Sequence, residues 1–137
     1  LAAAGTIFFS GRNNGVAEEL ALKTNEIVRK SSRYLEGTLA LHGIEEIMTA
    51  RDVVIFLDPP ESESAMMEKI FIKNIGATVV VLGPKATPFP TVSTPVLDGY
   101  SNFLALMAGW NLLVETGLDL GYNLDKPARA RKVGNAL

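Results

Sequence analysis

The sequence predicts an α/β domain with a doubly wound parallel sheet in three αβα layers. Three observations carry this. Thr6–Ser10, Asp52–Leu57 and Ala77–Leu82 are short runs rich in Val, Ile and Phe without polar alternation. Strands covered on both faces read this way, because neither side meets water. The segments between them carry apolar residues at helical spacing, and the order strand, helix, strand is the signature of parallel crossovers.

Taken in order, the first strand leads into a helix predicted from Gly15 to Lys30. Its stripe is Ala17, Leu20, Ala21, Thr24, Ile27 and Val28, one face at a period near 3.6. A second helix is predicted over Glu63–Ile75, burying Met66, Met67, Ile70 and Phe71, with Gly76 placed to stop it. A third begins near Ser101 and carries Phe103, Leu104, Met107, Trp110, Leu113 and Val114 up to Gly117. It is apolar on most sides and is expected to be largely buried. The proline-rich connection Gly83–Pro95 precedes it, with a short strand expected at Val96-Leu97. Residues 1–124 form the predicted domain. Residues 125–137 have lost the apolar period and read as a basic tail with Lys126, Arg129, Arg131 and Lys132.

Composition narrows the function. With 137 residues and 47% apolar content the chain suits a single core. A net charge of −2 argues against nucleic-acid binding, which needs a clearly basic surface. No cysteine is present, so disulfides and thiolate chemistry are excluded, and the lone His42 excludes a histidine-rich metal site. Neither a metal nor a cofactor is expected. No apolar run is long enough to span a bilayer. The opening Leu1-Ala2-Ala3-Ala4-Gly5 has no preceding basic segment and does not read as a signal peptide, so a cytoplasmic location is expected of a chain taken from something longer.

Ligands of open α/β sheets bind beyond the carboxyl ends of the strands. This singles out Ser10–Gly15, Asp58–Ser64 and Gly83–Thr87. The first is a polar loop, with Arg12, Asn13 and Asn14, that could offer backbone N–H groups to a phosphate; on these residues alone an ordinary strand-to-helix turn accounts for it better. The second, Asp58-Pro59-Pro60-Glu61-Ser62-Glu63-Ser64, is acidic and would repel one. Asp58 after a parallel strand also suits the phosphoacceptor of a response-regulator receiver. Receivers need further acids after the first strand, where Ser10-Gly11-Arg12 stands instead. Glu19, Lys23, Glu26 and Lys30 fall on one helical face; on spacing alone they read as a solvated ladder of ion pairs.

Three stretches resemble the sugar-isomerase (SIS) family, in particular the second SIS half of glucosamine-6-phosphate synthase. Gly11-Arg12-Asn13 followed by Glu19-Leu20-Ala21-Leu22-Lys23-Thr24-Asn25-Glu26-Ile27 resembles glycine-arginine-glycine followed by E-G-A-L-K-L-K-E-I. Leu41-His42-Gly43-Ile44 resembles K-H-G-P, and Leu124–Val133 resembles D-K-P-R-N-L-A-K-S-V. The resemblance implies a flavodoxin-like sheet and an enzyme acting on ketose or amino-sugar 6-phosphates. It implies that Glu26 is the base moving a proton between C1 and C2, that His42 assists ring opening across a subunit boundary, and that Lys132 lies at the substrate. Glu19 takes a supporting role, and Arg12, Asn13 and Asn14 line the substrate site. A homodimer, or pairing with an upstream SIS half, is implied as well. Ile44 for proline, Ala128-Arg129 for R-N and the ending Gly134-Asn135-Ala136-Leu137 depart from the synthase. They favour a looser relative over the synthase itself, the family including amino-sugar-phosphate deaminases and fructosamine-phosphate deglycases. The acidic segment where a phosphate loop would stand leaves a second reading, a non-catalytic module that senses a sugar phosphate or mediates dimerisation.

Overall fold

In the computed structural model of the chain, the described residues are 1–11, 15–37, 39–127 and 129. Five strands form one sheet: β1 (Ile7–Gly11), β2 (Ser32–Glu36), β3 (Val53–Leu57), β4 (Thr78–Gly83) and β5 (Thr91–Ser93). Their order is β2-β1-β3-β4-β5 and every pairing is parallel. The fold class is the one predicted, a doubly wound three-layer sheet whose winding reverses between β1 and β3.

Three helical segments flank it. The first, α1, is Val16–Lys23 and continues as one wider turn over Thr24–Val28. The second, α2, is Ser64–Met67 and widens similarly over Glu68–Ile75. The third, α3, is the regular helix Ser101–Asp119. Residues on β1 and β3 alternate between two cores. Ile7, Phe9, Val53, Ile55 and Leu57 pack with α1 and with Leu113 of α3. Phe8, Val54 and Phe56 pack with Met67 and Phe71. This division explains the unbroken apolar runs, since each face has its own helical cover.

Four expectations are corrected. The β2 strand was not foreseen: Ser32-Arg33-Tyr34-Leu35-Glu36 lies at a sheet edge and none of its residues is fully buried, so it needs no apolar run. The fifth strand is Thr91–Ser93, not Val96-Leu97, whose side chains are exposed. Met66 is exposed, leaving Met67 and Phe71 as the buried residues of the second helical segment. Finally, α3 is only half covered: Phe103 is 63% and Met107 64% exposed. It also runs past Gly117 to Asp119, and Gly121, at φ 73°, turns the chain.

One close approach sets how α1 and α3 pack. A Cβ on Gly109 would lie 2.5 Å from both Leu20 methyls, well inside contact distance. Glycine at 109 therefore lets the two helices touch over the sheet.

Asp52 ties the strand starts together. It is buried, and its Oδ1 accepts from the Thr6 N–H at 2.7 Å while its Oδ2 accepts from the Thr49 N–H at 2.7 Å and the Thr49 hydroxyl at 3.1 Å. Removing the carboxylate breaks three part-buried hydrogen bonds at the entry to β1 and β3. Asp52→Ala should lower stability by about 2–3 kcal/mol, read as a shifted midpoint in urea unfolding. An unchanged midpoint would show that the carboxylate contributes nothing.

Candidate active site

Glu26 sits in the widened turn that ends α1. Where the helix widens, carbonyls of its preceding turn accept side-chain donors, Leu20 O in addition to the Thr24 N–H. Thr24 Oγ1 donates to Leu20 O at 2.8 Å, Asn25 Nδ2 to Ala21 O at 2.9 Å, and Ser32 Oγ also to Ala21 O. Side chains that bond back to the preceding turn bend helices, and wide turns of this kind are frequent at functional sites.

The charged ladder forms in part. Lys23 Nζ lies 2.7 Å from Glu26 Oε2 and 3.6 Å from Glu19 Oε1. The hydrogen bond with Glu26 raises the Lys23 pKa above its usual value, and the charges of Glu26 and Glu19 add to it. Lys23 is thus a cation at neutral pH that fixes the position of both carboxylates. Lys30, the fourth member by spacing, instead donates to Ala4 O at 2.7 Å.

Glu26 lines a cleft of about 680 Å³ with Asn25, Arg29, Lys30, Ser31, Pro127 and Arg129. Three of the residues that wall the cleft with Glu26 are basic, although the Lys30 ammonium is engaged by the Ala4 carbonyl and the Arg29 guanidinium by Tyr122, Asn123 and Lys126. Arg29 and Arg129 were not singled out in the sequence as site residues. Arg29 carries one signal visible only in the fold: it is a non-glycine residue in the left-handed region, at φ 55°.

The structure does not bring His42 to this cleft. His42 is exposed and follows the short turn Leu39–Leu41 beyond the carboxyl end of β2, whereas Glu26 precedes that strand. The five residues of β2 put roughly 16 Å between its ends. Arg12, Asn13, Asn14 and Lys132 lie outside the described residues.

Topology and resemblance therefore indicate opposite edges of the sheet. The carboxyl edge holds a smaller cleft of about 280 Å³, lined by Pro59, Glu61, Ser64, Lys85, Ala86, Thr87 and Pro88. Two of the three loops expected to hold a ligand meet there. Glu26 is on the amino edge, because a crossover helix returns the chain to the start of the next strand. Among the described residues no three histidine, aspartate or glutamate side chains are grouped to hold a metal ion. Nor is any helix among them long and apolar enough to cross a membrane.

No protein-family model matches the chain. Comparison with curated proteins also gives no match. Solved structures do match. Tagatose-6-phosphate ketose/aldose isomerase from Escherichia coli superposes with a TM-score of 0.72 at 18% identity, over 95% of this chain and 41% of that one. Glucosamine-6-phosphate deaminase from Thermotoga maritima gives 0.72 at 23% identity, over 94% and 40%. The C-terminal domain of glucosamine-fructose-6-phosphate aminotransferase from Francisella tularensis gives 0.71 at 14% identity, over 91% and 38%. The chain spans about two fifths of the length of these proteins. At these identities the likeness is one of fold, and the fold is that of the SIS-type phosphosugar isomerases.

Proposed function

We propose that the chain is the Glu26-bearing half of a phosphosugar isomerase, acting on a ketose or amino-sugar 6-phosphate. The observation that carries this reading is the Glu26 cleft, where a carboxylate paired with Lys23 shares its walls with the basic residues Arg29, Lys30 and Arg129. Aldose–ketose interconversion needs a carboxylate over two adjacent carbons and cations near the phosphate and the developing oxyanion. From an open-chain aldose or 2-amino aldose Glu26 takes the C2 proton and returns it to C1; from a ketose it takes a C1 proton and returns it to C2. With an amino sugar the C2 imine so formed takes up water and releases ammonia, leaving the ketose phosphate. His42 protonates the ring oxygen during opening. Its distance from Glu26 along β2 fits action in a neighbouring domain's site. In this reading Lys132 supplies a cation for the oxyanion, and Arg12, Asn13 and Asn14 bind the substrate.

Glu26→Gln should abolish turnover of glucosamine 6-phosphate in the full protein and leave the melting temperature almost unchanged, since it removes only an exposed ion pair. Lys132→Ala should lose turnover severely in the same assay. Near-normal turnover of Glu26→Gln would sink the assignment. A second reading is a module that senses sugar phosphates without converting them: where a hydroxyl-rich loop would seat the substrate phosphate for catalysis, the acidic Asp58–Ser64 segment stands instead. Wild-type protein that binds glucosamine 6-phosphate yet never converts it would establish that reading instead.

The uncovered face of α3 supports pairing with a second domain of this fold. Tyr100, Phe103, Met107 and Leu118 are exposed along it, with Val96 and Leu97 just before. A contiguous apolar surface of this kind marks an interface, and no charged residue lies between Asp98 and Glu115 to oppose a symmetric contact. Sedimentation should report a dimer, or a complex with an added partner half, and the double substitution Phe103→Glu, Met107→Glu should dissociate it. A monomer at every concentration, with no partner bound, would reject the pairing.

A further inference from the structure

The last described residues are held against the end of α1 by one side chain. The Arg29 guanidinium lies 4.7 Å from the centroid of the Tyr122 ring. Its Nη2 donates to the Asn123 carbonyl at 3.3 Å and to the Lys126 carbonyl at 3.4 Å. These contacts join positions 94 and 97 residues apart. The segment is shaped to be held. Tyr122 N–H donates to Gly117 O at 3.0 Å, and Asp125 N–H donates to Asn123 Oδ1 at 3.0 Å. Leu124 sits over Gly117, where a Cβ would come within 2.9 Å of its Cδ2 and 3.5 Å of Ile27 Cγ2. The chain then runs directly into Pro127 and Arg129, which wall the Glu26 cleft.

We infer that Arg29 is a positioning residue: it docks Tyr122–Lys126 on the end of α1 and so sets Pro127 and Arg129 beside Glu26. This inference rests on the phosphosugar reading of the cleft for its functional consequence, but not for the docking. A guanidinium suits the task because its planar fork can stack on an aromatic ring and reach two carbonyls at once; an ammonium on a flexible stem cannot do both. Placement matters as much as chemistry. Arg29 is three residues from Glu26 and occupies a left-handed conformation at the helix end, so the residue that turns the chain toward β2 is also the one that captures the C-terminal segment.

The test uses Arg29→Asn, since asparagine tolerates the left-handed backbone, and Tyr122→Leu, which removes the ring without touching α1. Hydrogen exchange of the amides of residues 122–126 should quicken by about tenfold in both, with Arg29→Lys between them and wild type. A merely structural contact would stop there. If docking prepares the site, the KM for glucosamine 6-phosphate should rise by about tenfold in Tyr122→Leu, which leaves every residue lining the cleft in place, while kcat changes by less than about threefold, because substrate must first select the docked segment. Unchanged exchange in both variants overturns the docking. Faster exchange with an unchanged KM overturns the positioning role. Absence of any wild-type turnover rejects the phosphosugar reading and the positioning role together, while the exchange data decide the docking separately.

Discussion

The rest of the molecule depends on covering both faces of β1, β3 and β4. A parallel strand cannot be joined to its neighbour by a tight hairpin, so each connection must cross a face of the sheet. The apolar side chains of these strands then bury against whatever crosses. At about 25 cal/mol per Å² of apolar surface removed from water, this two-sided burial is the dominant favourable term. It also fixes where irregular structure can lie: at the two edges where strands begin and end, and at the outer strands.

The Glu26 cleft is a product of that constraint. A helix that crosses from the carboxyl edge of β1 must return to the amino edge to start β2. Its last turn arrives beside the first residues of the chain, as the contact from Lys30 to Ala4 O records. There Thr24, Asn25 and Ser32 engage the backbone carbonyls where the turn widens. The widened turn displays Glu26 and Arg29 on a surface that the core does not need. Charge then gathers cheaply, because these groups remain partly solvated and bear little desolvation penalty.

The two ends of the sheet thus carry different equipment. The carboxyl edge has Ser64, Lys85 and Thr87 with the acids Asp58 and Glu61; the amino edge has the ladder and the arginines. His42 belongs to the first end and Glu26 to the second. An arrangement of two such domains that sets one domain's amino edge against another's carboxyl edge would unite them.

By itself the sequence determined the layers. The runs at 6–10, 52–57 and 77–82 and the stripe Ala17, Leu20, Ala21, Thr24 and Val28 were legible because burial imposes residue type at short, regular spacing. The Glu19–Lys23–Glu26 ladder was legible for the same reason, helical geometry being local. What is not local was not legible. The edge strand Ser32–Glu36 owes its conformation to hydrogen bonds with β1, supplied by a partner 25 residues earlier. The outward face of α3 has the composition of a core helix, and only the packing of the chain decides which side the sheet covers. Arg29 carries no sequence signal at all: its place beside Tyr122, Asn123 and Lys126 exists only once the C-terminal segment has come back across the end of α1. The separation of Glu26 from His42 likewise follows from the direction of β2, a tertiary fact that residue spacing does not contain.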